Sequence, residues 1–240
     1  MSKIILFNAP KSTGKSEAIK YLRGRGFQLT SAECKNPLHD LTMTLFGISP
    51  ERYWEIYNTR ELKEVPLSEF TITFNTFEEQ VDFCEVIGSI LDLFGVTERF
   101  PMGLTKRLSI REAMIYVSEV VVKPRWGEDW FGKERVRKMD KVGGVYICLD
   151  TGKETPVLFC DDSCAFVDEL TPLINYLGQE NILLIRLHRE GFTFEGDSRN
   201  YIPDGVITNT VDINNNSTEQ EYLDEVEEVV KRFLDEKNTD

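Results

Sequence analysis

The residues Ala9-Pro10-Lys11-Ser12-Thr13-Gly14-Lys15-Ser16 have the types and spacing that a phosphate-binding turn needs. A polyphosphate is held by several backbone N–H groups converging on its oxygens, with the positive end of a helix behind them. A lysine reaches the phosphate to be transferred, and a hydroxyl meets the accompanying magnesium ion. Lys11, Ser12, Thr13 and Gly14 form such a turn, with Lys15 and Ser16 as the two working side chains and Ser16 as the metal ligand. Ala9 stands where this kind of turn usually has its first glycine. That is acceptable provided its φ is not positive.

Transfer of a phosphoryl group also needs positive charge over the phosphates, and arginine supplies it with fork geometry. Arg186 and Arg189 follow the apolar run Leu183 to Ile185, and Arg199 lies in the polar loop Gly191 to Asn200, which has the composition of a closing lid or of a solvated surface loop. In the middle of the chain, Arg60, Lys63, Arg111 and the run Lys123-Pro124-Arg125-Trp126-Gly127-Glu128-Asp129-Trp130-Phe131 combine cations with aromatics. A nucleotide acceptor wants both, a fork for its phosphate and a flat apolar partner such as Trp126 for its base. Asp161-Asp162 ends a strand-like run, where open parallel sheets bind ligands. One of them serves magnesium or the acceptor, or caps the backbone.

These groups need a scaffold. Ile4-Ile5-Leu6-Phe7 is a short continuous apolar run that reads as a buried strand, and a helix is predicted from about Gly14 with Ala18, Ile19 and Leu22 inward. From 34 to 141 the pattern turns helical. Phe83, Val86, Ile87, Ile90, Leu91 and Phe94 mark one face, and Ile110, Ala113, Met114, Val117, Val120 and Val121 another, with Pro101-Met102-Gly103 between them and Pro124 as a stop. After Gly143-Gly144, strand-like runs recur at Val145–Leu149, Val157–Cys160, Ile182–Ile185 and Val206–Thr208, with a hairpin turn at Asp150 to Lys153. Helices are predicted from Phe166 to Leu177 and along the tail stripe Tyr222, Val226, Val229, Val230, Phe233, Leu234. The expectation is an α/β fold with a mostly parallel sheet flanked by helices. The core is expected over 1–33 and 142–240, with a helical region inserted over 34–141.

Composition excludes several classes. The 240 residues, 41% of them hydrophobic, suffice for one core and a smaller lobe. Five cysteines without a CxxC pair and only two histidines argue against structural zinc, and Cys148 and Cys160 read as small buried apolar residues. A net charge of −13 disfavours a nucleic-acid polymer as partner. With no run of about 20 apolar residues and no leader-like start, a cytoplasmic protein without a membrane partner is expected.

Taken in order, several segments resemble the bacteriophage deoxynucleoside monophosphate kinases, within the P-loop nucleoside monophosphate kinases. They are Ala9 to Ser16, Arg60-Glu61-Leu62-Lys63, Ser109-Ile110-Arg111-Glu112-Ala113 with Lys123 to Phe131, Asp197-Ser198-Arg199 and Val206-Ile207-Thr208-Asn209. The resemblance extends over most of the chain and implies a P-loop NTPase-type core that transfers the ATP γ-phosphate to a deoxynucleoside monophosphate. It implies ATP and Mg2+ at Lys15 and Ser16, the acceptor phosphate at Arg111, and the donor base near Asn209. It hints at a homodimer and at the host cytoplasm for a phage-encoded chain. The chain departs from the family where Asp161-Asp162-Ser163 stands for Asp-x-Arg. A nucleotide-binding regulatory protein that has lost catalysis is the alternative.

Overall fold

Ile4-Ile5-Leu6-Phe7 is apolar at every position because both of its faces are covered. The computed structural model describes residues 2–73, 105–143, 145–147, 154–164, 166–195 and 199–235. In chain order its strands are β1 (Lys3–Asn8), β2 (Leu29–Ser31), β3 (Leu67–Thr73), β4 (Thr105–Leu108), β5 (Val145–Ile147), β6 (Glu154–Pro156), β7 (Leu158–Asp161), β8 (Ile182–His188) and β9 (Asn209–Asn214). The α-helices are α1 (Lys15–Gly24), α2 (Asn36–Phe46), α3 (Pro50–Asn58), α4 (Ile110–Ile115), α5 (Lys123–Trp126), α6 (Trp130–Val142), α7 (Thr171–Leu177) and α8 (Glu219–Asp235).

Five strands form one parallel sheet in the order β2-β7-β1-β8-β9. Successive side chains of β1 point to opposite faces. Ile5 and Phe7 pack with Ala18 and Leu22 of α1 and with Tyr222, Val226 and Val230 of α8. Ile4 and Leu6 pack with Leu173 and Leu177 of α7 and Met139 of α6. The fold is therefore α/β, a parallel sheet between two helical layers. After β1 the chain turns toward β2, and after β8 it turns toward β9 on the other side. The crevice between these two outgoing loops, at the carboxyl ends of the strands, is where open sheets of this kind bind ligands.

The chain divides into two compact units, one of residues 1–34, 132–195 and 199–240 and one of 35–131 with 196–198. In the second, an antiparallel pair, β3 with β4, packs Phe70, Ile72 and Leu108 against Tyr53 and Ile56 of α3 and Ile110 and Ala113 of α4. Ser49 caps α3 through the Arg52 amide, and Ser109 with Glu112 forms a capping box at α4.

The largely helical middle region thus also contains a two-stranded sheet. Its first strand shows the period-2 alternation of Phe70 and Ile72 with Thr71 and Thr73. Its second, Thr105-Lys106-Arg107-Leu108, has no such signal. Pro124 does not stop the helix from Ile110. That helix passes through a π-helical stretch, Tyr116–Val122, and ends at Gly127 with φ 95°. Pro124 falls in the first turn of α5, where a missing N–H is tolerated. Val206–Thr208 is not a strand. The turn at Asp204-Gly205, with Gly205 at φ 82°, delays pairing until Asn209. The helix expected from Phe166 begins at Thr171 with Pro172 in its first turn. β5 and β6 form an antiparallel pair on either side of the expected hairpin turn. That turn itself, Cys148, Gly144, the 83–94 stripe with Cys84, Pro101-Met102-Gly103 and Asp197-Ser198 lie outside the described residues. Among the described residues, no helix is long and apolar enough to cross a membrane.

Gly132 marks a close approach. A Cβ there would lie 2.4 Å from the Glu169 carbonyl oxygen. Helix propensity alone favours Gly132→Ala by about 1 kcal/mol. The contact reverses the sign, so denaturant unfolding of Gly132→Ala should show a loss of about 1–3 kcal/mol.

Candidate functional site

Asn8 ends β1 fully buried, and the loop that follows turns sharply enough to put Ser12 at φ 64° and Gly14 at φ 104°. Ser12 is the one non-glycine with positive φ among the described residues, and Ala9 is not among them. Glycine is needed at 14 for two reasons. Its φ is left-handed, and a Cβ there would meet Asn215 Nδ2 at 2.7 Å and the Tyr222 ring at 3.1 Å. α1 starts directly after Gly14 with no side-chain cap, so its first amides face the loop.

The loop carbonyls are anchored one by one. Lys15 Nζ donates to Ala9 O at 2.8 Å and Pro10 O at 2.7 Å, and Thr13 Oγ1 donates to Pro10 O at 2.9 Å. Arg189 donates to Ser12 O at 3.2 Å, Asn215 Nδ2 to Thr13 O at 2.9 Å, and the Tyr222 hydroxyl to Gly14 O at 3.1 Å. Lys15 lies inside the loop, with its ammonium resting on the Ala9 and Pro10 carbonyls.

Arg189 follows β8, so it spans the crevice from the far side. Its guanidinium also lies 5.0 Å over the Phe192 ring. His188 to Glu190, Phe192 to Phe194, Asn200, Tyr201 and Asn216 line a cavity of about 450 Å³. The Asn216 side-chain oxygen accepts from Glu190 N at 2.8 Å, which ties the two sides of this cavity together. Asn8 secures the base of the same segment. Its Nδ2 donates to Cys164 O and Asn200 O, each at 3.1 Å, and its Oδ1 accepts from Ile202 N at 2.8 Å.

Arg186 lies nearby but is engaged. It donates twice to Asp212, at 2.9 and 2.5 Å, and pairs with Asp204 at 2.7 Å. Burial pushes the Asp212 carboxyl up, but the hydrogen bonds from Arg186 and His188 prevail and hold it below its usual range. Arg186 therefore braces β8 against β9. Arg199 is half-buried beside residues that lie outside the described set.

Asp161 and Asp162 have separate surroundings. Asp161 is fully buried, with Oδ2 2.9 Å from Arg135 and Oδ1 accepting from both the amide and the hydroxyl of Ser163. Arg135, 1% exposed, also donates to Glu169 O. Asp161 is thus held in a buried ion pair, closed to an acceptor. The guanidinium beside Asp161 comes from α6. Asp162 points elsewhere. It shares with Ser16, Lys20 and Arg23 a cavity of about 160 Å³. Ser16 and Asp162 are a hydroxyl and a carboxylate of the kind that hold magnesium by oxygen.

Asn209 stands apart. It pairs in register with Leu183, near the amino ends of the strands, and its Nδ2 donates to Glu180 O and Ile182 O. The loop lies at the carboxyl ends, so Asn215 and Asn216, past the far end of β9, are the asparagines beside it.

In the second unit, Lys63 Nζ lies 3.8 Å over the Tyr57 ring, and Arg111 pairs with the neighbouring Glu64 at 3.4 Å. Exposed Arg60 lies in the turn leading to them. Trp126 is 51% exposed and 5.9 Å from the Trp130 ring. It ends the helical run that Arg111 begins, which separates the two by about 20 Å.

Sequence reading passed over Asn8, Arg135, Asn215 and Tyr222. Arg135 sits in Lys133-Glu134-Arg135-Val136-Arg137-Lys138, which reads as a solvated face, and Tyr222 read as part of an apolar stripe. The three consecutive asparagines that end and follow β9 are the available signal. Cys34, Cys160 and Cys164 are free and buried, and burial pushes the Cys160 thiol up to about 11. Among the described residues, no group of three or more His, Cys, Asp or Glu is placed to hold a metal.

No family model matches the chain, and no curated protein matches it. Among solved structures, a gluconokinase from Sinorhizobium meliloti 1021 is similar at TM-score 0.41 and 10% identity, over 96% of this chain and 92% of that one. A likeness this distant assigns neither activity nor substrate.

The Arg135–Asp161 pair has a direct test. Arg135→Met leaves a buried carboxylate without its cation and should cost about 3–5 kcal/mol in denaturant unfolding. Adding Asp161→Asn should recover part of that loss.

Proposed function

We propose that this chain is an ATP-dependent, P-loop phosphotransferase acting on a deoxynucleoside monophosphate. The observation that carries the reading is the loop after β1. It lies at the crevice of a parallel sheet, with Lys15 inside it, the first amides of α1 facing it and Ser16 beside a cavity that Asp162 also lines. In this reading the β- and γ-phosphates sit against the amides of residues 12 to 16. Lys15 exchanges the Ala9 and Pro10 carbonyls for phosphate oxygen. Ser16 and Asp162 would hold magnesium, whose charge neutralises the phosphates. Arg189, already at the loop, stabilises charge on the transferred group.

The aromatic cavity of about 450 Å³ takes the donor base. Its volume lies within the usual range for small-ligand sites, and Phe192, Phe194, Tyr201 and Asn216 offer flat faces and one amide. The monophosphate acceptor is supported by the resemblance of the ordered segments and by the cations Arg60, Lys63 and Arg111 gathered in the second unit. Trp126 is left out of that group by its distance. In the reaction an acceptor phosphate oxygen bonds to the γ-phosphorus as the bond to ADP breaks, and catalysis is mainly positioning and charge neutralisation.

Lys15→Ala should lower kcat by about a hundredfold to a thousandfold or more while leaving the melting temperature close to that of the parent. The check is ADP release with a deoxynucleoside monophosphate present, alongside a thermal melt. Near-parental turnover by Lys15→Ala would refute the proposal.

A further inference from the structure

A peptide group is planar, so a carbonyl pulled to one side of the chain sends the next residue's N–H to the other. In this loop three successive carbonyls are pulled outward by donors distant in sequence. Ser12 O receives Arg189, Thr13 O receives Asn215, and Gly14 O receives Tyr222 beside the Ala18 amide that opens the α1 ladder. The amides this turns inward belong to Thr13, Gly14 and Lys15.

Two of those donors touch only the outside of the loop. Asn215 is 202 residues from Thr13 in sequence, and Tyr222 is 208 from Gly14. Asn215 is itself fixed, because its own amide donates to His188 O at 2.7 Å. Tyr222 is 1% exposed, packed among the core residues of α1 and α8, so its hydroxyl has little freedom. Burial raises its pKa, so it remains a donor. Both side chains also crowd the place where a Cβ of residue 14 would be, so the glycine and its two anchors form one device.

We propose that Asn215 and Tyr222 are positioning residues that preorganise the phosphate cradle by holding the peptide planes at Thr13-Gly14 and Gly14-Lys15. The inference rests on the phosphotransferase reading only in naming a nucleotide as the ligand; the cradle itself answers to any polyphosphate. Preorganised amides bind without reorienting, so loss of an anchor appears as weaker phosphate binding even where no ligand contact has been removed.

The test uses the full chain with Tyr222→Phe, which removes only a hydroxyl, and Asn215→Asp, which replaces a donor by an acceptor of the same shape. Inorganic tripolyphosphate with Mg2+ is titrated calorimetrically into each. Each substitution should weaken its binding about tenfold, the scale of one lost hydrogen bond. In turnover, KM for ATP should rise while KM for the acceptor stays within twofold, a split that general loosening of the fold would not produce. Unchanged tripolyphosphate affinity in both variants overturns the proposal. So does an equal rise in both KM values. A parent chain that binds tripolyphosphate but not ATP refutes the nucleotide reading alone, and the variants still decide the anchors. A parent that binds neither refutes both.

Discussion

The conformation of the loop after β1 depends on where the carbonyl groups of residues 9, 10 and 12 to 14 find their donors. An isolated turn of this sequence has no reason to prefer amides inward, because Ser12 and Gly14 must both adopt left-handed backbone and Ser12 has a side chain that disfavours it. The conformation persists because the rest of the core over-determines it. Lys15 and Thr13 hold the first carbonyls from within the loop, and Arg189, Asn215 and Tyr222 hold the later ones from β8, from the end of β9 and from α8. The site is thus a property of the whole first unit.

That dependence explains several features that look unrelated. β1 must be buried on both faces so that its end does not move, and its neighbours β7 and β8 fix it on either side in parallel register. Asn8, buried at the last position of β1, joins the loop after β7 to the segment after β8. The Arg135–Asp161 pair does the same for α6 and the end of β7. Such a pair adds little net stability but is costly to break, which suits a role in fixing geometry. Arg186, bonded to Asp212, sets the end of β8 from which Arg189 departs.

Much of this was legible in the sequence where a local rule was enough. The continuous run Ile4 to Phe7, the glycine and lysine spacing after it, the strand runs at Leu158 and Ile182 and the stripe of α8 gave the parallel α/β core and the loop directly. Pairing between distant elements was not legible. β4 is a strand because β3 lies beside it, and its own residues say nothing of the kind. Pro124 reads as a stop because the π-helical stretch before it, after which it falls in the first turn of α5, has no sequence signature. The resemblance implies a place for Asn209 near the donor base, while strand direction puts it at the amino end of β9, away from the loop. Arg135, Asn215 and Tyr222 were missed for the same reason, since each acts through a partner far away in the chain.

Whether this loop serves the proposed transfer of a phosphate from ATP to a nucleotide is decided by ADP release across the four deoxynucleoside monophosphates. ADP formation should depend on at least one of the four and be matched mole for mole by a deoxynucleoside diphosphate. ATP loss indifferent to every monophosphate, or ATP binding with no turnover on any of them, would contradict it.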